Sequence, residues 1–148
     1  MSLRVVTMAE FLGAGALFNA VNLATGGDYK GFADHSYIPF IHHTWRSIVD
    51  PHVDAFIPLP IAFEAAVGLL VLSGGRRTQL GLVGAIGFEV ALVLFGWAFA
   101  ARSIPTILAL ALLLQAERKH AAALEVVETQ LRRVRRGSLG QWRAEGWS

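Results

Sequence analysis

Cysteine is absent from the 148-residue chain, which excludes disulfides, thiolate metal sites, haem attachment through Cys-x-x-Cys and any thiol–disulfide cycle carried by this chain alone. Charge is also scarce, at 16% of residues. No phosphate-binding loop is present, because Gly13 and Gly15 lie inside an apolar run with no Lys-Ser/Thr pair after them. No nucleophile elbow surrounds Ser36, Ser47 or Ser103, since Gly-x-Ser-x-Gly does not occur. Internal repeats and low-complexity tracts are missing as well.

What fills the chain instead is apolar. Hydrophobic residues make up 54% and the mean hydropathy is +0.49, values of an integral membrane protein rather than a soluble enzyme. A hydrocarbon core takes about 20 helical residues to cross. Val5–Ala24, Val53–Leu72 and Leu80–Ala101 meet that length, and Ile104–Ala116 is a shorter fourth stretch. Ser103 and Pro105 read as its helix start, and Arg118 and Lys119 extend it by snorkelling to the interface. The first stretch follows Arg4 in the manner of a secretory signal, but its full spanning length and the polar Glu10 and Asn19 within it favour a permanent anchor.

The basic residues set the orientation, because Lys and Arg concentrate on the cytoplasmic side of membrane spans. With four spans, ten of the thirteen basic residues fall inside, and only Lys30, Arg46 and Arg102 stay outside. A three-span arrangement would carry the Arg-rich tail across. The expectation is therefore an all-α four-helix membrane bundle over 1–116, in the inner cell membrane, with both termini cytoplasmic. A basic amphipathic helix and tail over 117–148 follow it, and a high pI near 9.5 is accounted for by topology rather than by nucleic acid.

Residues 25–52 form the outer loop. Tyr29, Phe32, Tyr37, Phe40, Ile41 and Trp45 suggest a cap lying in the interface, where aromatic rings are favoured. His35, His42, His43 and His52 stand near Asp34, Asp50 and Asp54, a donor set suited to zinc, copper or iron. Their spacing matches no metal motif, however, and solvated or headgroup-contacting side chains are the plainer reading, so neither metal nor haem is expected. On the inner side, Ala116, Ala123, Leu124, Val127, Leu131 and Val134 recur at helical spacing. The cluster Arg132, Arg133, Arg135 and Arg136 suits anionic headgroups or a partner subunit. The final 137–148, with Trp142 and Trp147, reads as flexible unless a surface holds it.

Ionisable residues inside the spans carry the functional signal, since a charge at the bilayer centre costs at least ~2.5–3.5 kcal/mol. Glu10, Glu64 and Glu89 are such residues. Glu64 and Glu89 lie at matching depths, about 13 Å from the cytoplasmic side at ~1.5 Å per residue. Two carboxyls at one depth would share a proton or bind a cation, or each would be protonated and hydrogen-bonded to a neighbouring helix. Glu10, nearer the inner surface, is expected to pair with Arg4 or Arg77. Asn19 and Asn22 read as interhelical hydrogen-bond donors, and Gly81, Gly84, Ala85, Gly87 and Ala91 as a small-residue packing face.

The run Phe63–Leu82, FEAAVGLLVLSGGRRTQLGL, resembles the second-to-third-span hairpin of the DoxX-like family of small four-helix membrane proteins, with Glu64, Gly68, Gly74 and Arg76 at the matching positions. The His-rich outer loop and the long basic C-terminal helix depart from that pattern. The resemblance implies an association with membrane redox systems, in which such proteins are similar to small subunits of quinone-reducing oxidoreductases. An accessory or anchoring subunit of a membrane complex, partnered by lipid and other membrane subunits and not catalytic on its own, is the leading expectation. Quinone binding at Glu64 and Glu89, and proton or cation passage through that pair, stand beside it.

Overall fold

The computed structural model describes the backbone of residues 3–29 and 31–145. Among the described residues every regular element is helical and no strand occurs. The chain begins with α1 (Leu3–Met8), continues without interruption through a π-helical stretch Ala9–Leu17, and ends this first rod in α2 (Phe18–Ala24). The wider π turn matters locally, because it spreads the helix where Glu10, Gly13 and Gly15 lie; π segments of this kind are common at functional sites.

The connection 25–52 is more ordered than a linker. It holds α3 (Pro39–Thr44), a π turn Trp45–Val49, a 3-10 turn Asp50–His52 and the short α4 (Val53–Phe56). After Ile57 the chain turns by 57° into α5 (Pro58–Leu72). Pro58 and Pro60 cause that bend, since neither has an N–H with which to continue the preceding turn. Two helices, Val5–Ala24 and Trp97–Arg133, are long and apolar enough to cross a membrane, and a third crossing results if the bent pair Pro39–Phe56 and Pro58–Leu72 is one span.

A tight turn at Ser73 and Gly74 leads to α6 (Gly75–Val93). Gly74 has φ 82° and Gly75 φ 60°, a region open to glycine at little cost. Thr78, fully buried, fixes the turn: its hydroxyl donates to Val71 O at 3.0 Å and accepts from the Gly74 N–H at 3.0 Å. The small-residue face is real over its first half. A Cβ on Gly81 would meet Val71 N at 2.9 Å, Gly84 sits against Val67, and Ala85 is fully buried, whereas Gly87 has nothing nearby and Ala91 is exposed. Although α6 has spanning length, it carries three charges, Arg76, Arg77 and Glu89, and so fails the apolarity that the other crossings meet.

The expected third span, Leu80–Ala101, is not one helix. It breaks at Leu94–Gly96, and the last helix, α7 (Trp97–Glu145), starts well before Ser103. Gly96 has φ 126°, and a Cβ there would collide with the carbonyl oxygen of His35; no other residue type fits that approach without strain. Pro105 lies inside α7 rather than at its start. Earlier initiation removes the length problem of the fourth stretch. At 49 residues, α7 is about 70 Å long, more than twice a hydrocarbon core.

The core is formed by Phe11, Val67, Val71, Leu82, Ala85, Leu110, Leu113 and Leu114, which join the first rod, α5, α6 and α7. Large apolar side chains also face outward, among them Leu17, Leu80, Leu108 and Leu112, each more than 60% exposed. A water-soluble surface would not carry this pattern, and lipid satisfies it. Beyond Ala116, α7 continues as the same helix through the amphipathic stretch, with Leu124, Val127 and Leu131 exposed. The helical backbone includes 137–145, where flexibility is expected from sequence; residues 146–148 lie outside the described residues, Trp147 among them.

Candidate functional site: an acid-floored cavity under an aromatic cap

A cavity of about 450 Å³ lies between the first rod, α5, α6 and the start of α7. Its polar lining includes Glu10, Asn19, Glu64, Glu89 and Arg102. The intramembrane acids expected to matter thus share one space. Their partners differ from the expectation, and the reason is Arg102. Placed in an outer connection by the sequence, it instead falls in the second turn of α7, because that helix begins at Trp97. Its Nη2 donates to Glu89 Oε1 at 3.3 Å and its Nη1 to Glu10 Oε1 at 3.5 Å. Glu10 therefore pairs with Arg102, not with Arg77; the Arg4 side chain lies outside the described residues.

Glu64 is reached from the other side. Asn19 Nδ2 donates to its Oε2 at 3.3 Å, joining α2 to α5. Gly15 makes the necessary room, since a Cβ there would stand 2.7 Å from Glu64 Oε1. Glu64 and Glu89 are both buried, at 6% and 2% exposure. Glu89 Oε2 is buried with no hydrogen-bond partner, so the site holds a free acceptor in a medium where an unmet polar atom is costly. Asn22 behaves differently from Asn19: its carboxamide lies against Gly27, and its carbonyl accepts from the Gly27 N–H at 2.7 Å, serving the turn after α2.

The lining is also aromatic. Phe32 stacks on Trp45 with centroids 5.0 Å apart, and packs on Phe95 at 5.1 Å and on Phe99 at 4.7 Å. These rings line the cavity together with Tyr29 and Phe18. The loop is tied down by three hydrogen bonds. Tyr29 Oη donates to Asn19 O at 3.0 Å, Trp45 Nε1 to Tyr29 O at 3.0 Å, and Ser36 Oγ to Leu94 O at 2.7 Å. The loop's rings accordingly divide in two: Phe32 and Trp45 turn inward over the cavity, while Tyr37 and Phe40 remain exposed as interfacial rings do.

The histidines do not gather. His42 Nε2 lies 3.5 Å from Asp34 Oδ1, where Arg46 also binds at 3.2 Å. His52 Nδ1 is 3.0 Å from Ile48 O, His43 is exposed, and His35 places its carbonyl beside Gly96. Among the described residues, no three His, Asp or Glu side chains stand where they could hold a metal. In the basic cluster, Arg132 pairs with Glu128 one turn away, and Arg133 and Arg135 are exposed. The side chain of Arg136 lies outside the described residues.

Sequence reasoning missed Arg102 as a site residue and missed the cavity wall of Phe95 and Phe99. The signal for Arg102 was its position between two apolar runs, with three acids of the same bundle in need of a cation. No family model, curated protein or solved structure matches this chain.

Proposed function

We propose that this chain is a four-span protein of the inner cell membrane, with both termini cytoplasmic and with α6 as the fourth crossing, its Glu89 paired to Arg102 and its Arg76 and Arg77 at the cytoplasmic end, that holds the polar head of a small lipophilic molecule and serves as an accessory or anchoring subunit of a larger membrane complex. The observation that carries the reading is the cavity itself: about 450 Å³, walled by aromatic rings and floored by Glu10, Glu64, Glu89, Asn19 and Arg102. Apolar walls with a few convergent polar groups, in this size range, are the usual form of a small-molecule site.

The orientation follows from the basic residues. With Arg102 engaged by Glu89 and Glu10, only Lys30 and Arg46 remain for the outer side, which sharpens the positive-inside asymmetry. The exposed stretch of α7 past Ala116, with its Leu, Val and Arg residues, supports docking to a partner subunit or to anionic lipid. The resemblance of Phe63–Leu82 to the DoxX-like hairpin makes a redox complex the natural setting and a quinone ring one candidate occupant.

Purification of the full chain in a gentle detergent, followed by mass spectrometry of co-purifying proteins and extracted small molecules, tests this reading. A stoichiometric membrane partner together with a bound lipophilic compound is expected. A homo-oligomer without either, and without uptake of any added lipophilic probe, would overturn it.

A further inference from the structure

Among the described residues, the formal charges around the cavity do not balance. Glu10, Glu64 and Glu89 bring three carboxyls, against Arg102 as the single Lys or Arg of the described lining. Arg102 is already divided between Glu10 and Glu89, and Glu64 is met by the neutral amide of Asn19. Glu89 is 2% exposed, and its Oε2 has no partner. In a site of low dielectric, surplus carboxyls either take up protons or are balanced by a cation that enters.

The shape of the site chooses among cations. A small inorganic ion needs several oxygen or nitrogen ligands converging on one point, and among the described residues no such group of acids and histidines exists. What shares the cavity lining with the acids is instead the ring cluster of Phe32, Trp45, Phe95 and Phe99. The negative face of an aromatic ring attracts a cation within about 6 Å, most strongly when water is excluded. Carboxyls and aromatic rings in one lining suit a bulky, weakly hydrated positive charge.

We infer that the cavity selects an organic cation, an ammonium or phosphonium head on an apolar body, over a neutral ring or an anion of similar size. The inference rests on the reading of the cavity as a ligand site and names the chemical class of its occupant.

The test is calorimetric titration of the full chain, in a neutral detergent, with tetraphenylphosphonium, with the anion tetraphenylborate, and with a short-chain ubiquinone analogue. Saturable binding of tetraphenylphosphonium without binding of tetraphenylborate is expected. Glu64→Gln should weaken it about tenfold, the loss of one favourable charge contact, while Glu125→Gln on the exposed part of α7 leaves it unchanged. The two tetraphenyl ions are compared on the unaltered chain, so their contrast remains decisive even if a variant fails to fold. Binding of the quinone analogue alone would overturn the cation inference and leave the ligand site intact. Equal binding of both ions would also overturn it. No binding of any probe would remove both the inference and the ligand-site reading beneath it.

Discussion

Arg102 Nη2 lies 3.3 Å from Glu89 Oε1, and so joins the start of α7 to a carboxylate on α6 that is only 2% exposed. Glu10 Oε1 holds the other nitrogen of the same guanidinium at 3.5 Å. One cation thereby links three helices. Its removal strands a buried acid, which costs more than the pair itself contributes.

Arg102→Leu should therefore lower stability by about 1–3 kcal/mol, less than the ~3–5 kcal/mol of a wholly buried pair because the guanidinium is half exposed. Thermal unfolding in detergent measures it. The double variant Arg102→Leu/Glu89→Leu should recover most of the loss, since it removes the buried Glu89 carboxyl together with its cation and leaves only the more exposed Glu10 without its partner. A double variant less stable than the sum of the two singles would contradict the pairing.

Gly15→Ala should disturb Glu64 directly, because the added methyl would sit 2.7 Å from its Oε1. The Glu64 side chain must move, and its bond from Asn19 is lost with it. Overpacking of this kind costs ~1–3 kcal/mol. Asn19→Ala, measured beside it, should show a smaller loss of about 1 kcal/mol, and the two effects should not add, because they break the same contact.

Gly96→Ala combines an unfavourable φ of 126° with a clash against the backbone of His35. A destabilisation of at least ~1–3 kcal/mol is expected. Hydrogen exchange should locate the change in the loop around Ser36 and in the Leu94–Gly96 break. Ser36→Ala, which removes the 2.7 Å bond to Leu94 O, should loosen the same region by about 1 kcal/mol without touching the α5–α6 hairpin.

These sites also mark where the sequence is legible and where it is not. Hydropathy finds the first rod because a long apolar run has one reading in a chain of this composition, but it divides the Trp97–Arg133 region between Leu80–Ala101 and Ile104–Ala116. The hairpin at Ser73–Gly75 is equally plain, with Gly-Gly followed by Arg-Arg. The Leu94–Gly96 break is hidden, because LFGWAFA is apolar throughout and its single Gly resembles others that sit quietly inside α6. Overlooking that break shifts the start of the next helix, turns Pro105 into a helix start and puts Arg102 in a loop.

The acids of the site were legible because charge inside an apolar run is conspicuous. Their partners were not, because pairing depends on which helix ends meet. Matching depth brought Glu64 and Glu89 to one cavity, but the side chains that reach them come from Asn19 and Arg102. The aromatic residues of the loop were recognisable as a cap. Which of them turn inward depends on contacts with Phe95 and Phe99, far along the chain, and no local pattern records that.

The central claim is that the cavity between Glu64, Glu89 and the Phe32–Trp45 cap receives a lipophilic molecule. Photolabelling of the purified chain with a diazirine-bearing amphiphile, followed by peptide mapping, addresses it most directly. Adducts concentrated on Phe32, Trp45, Phe95 and Phe99, and suppressed by excess unlabelled amphiphile, are the predicted result. Adducts spread over outward-facing residues such as Leu108 and Leu112, with none on the cavity wall, would contradict the account.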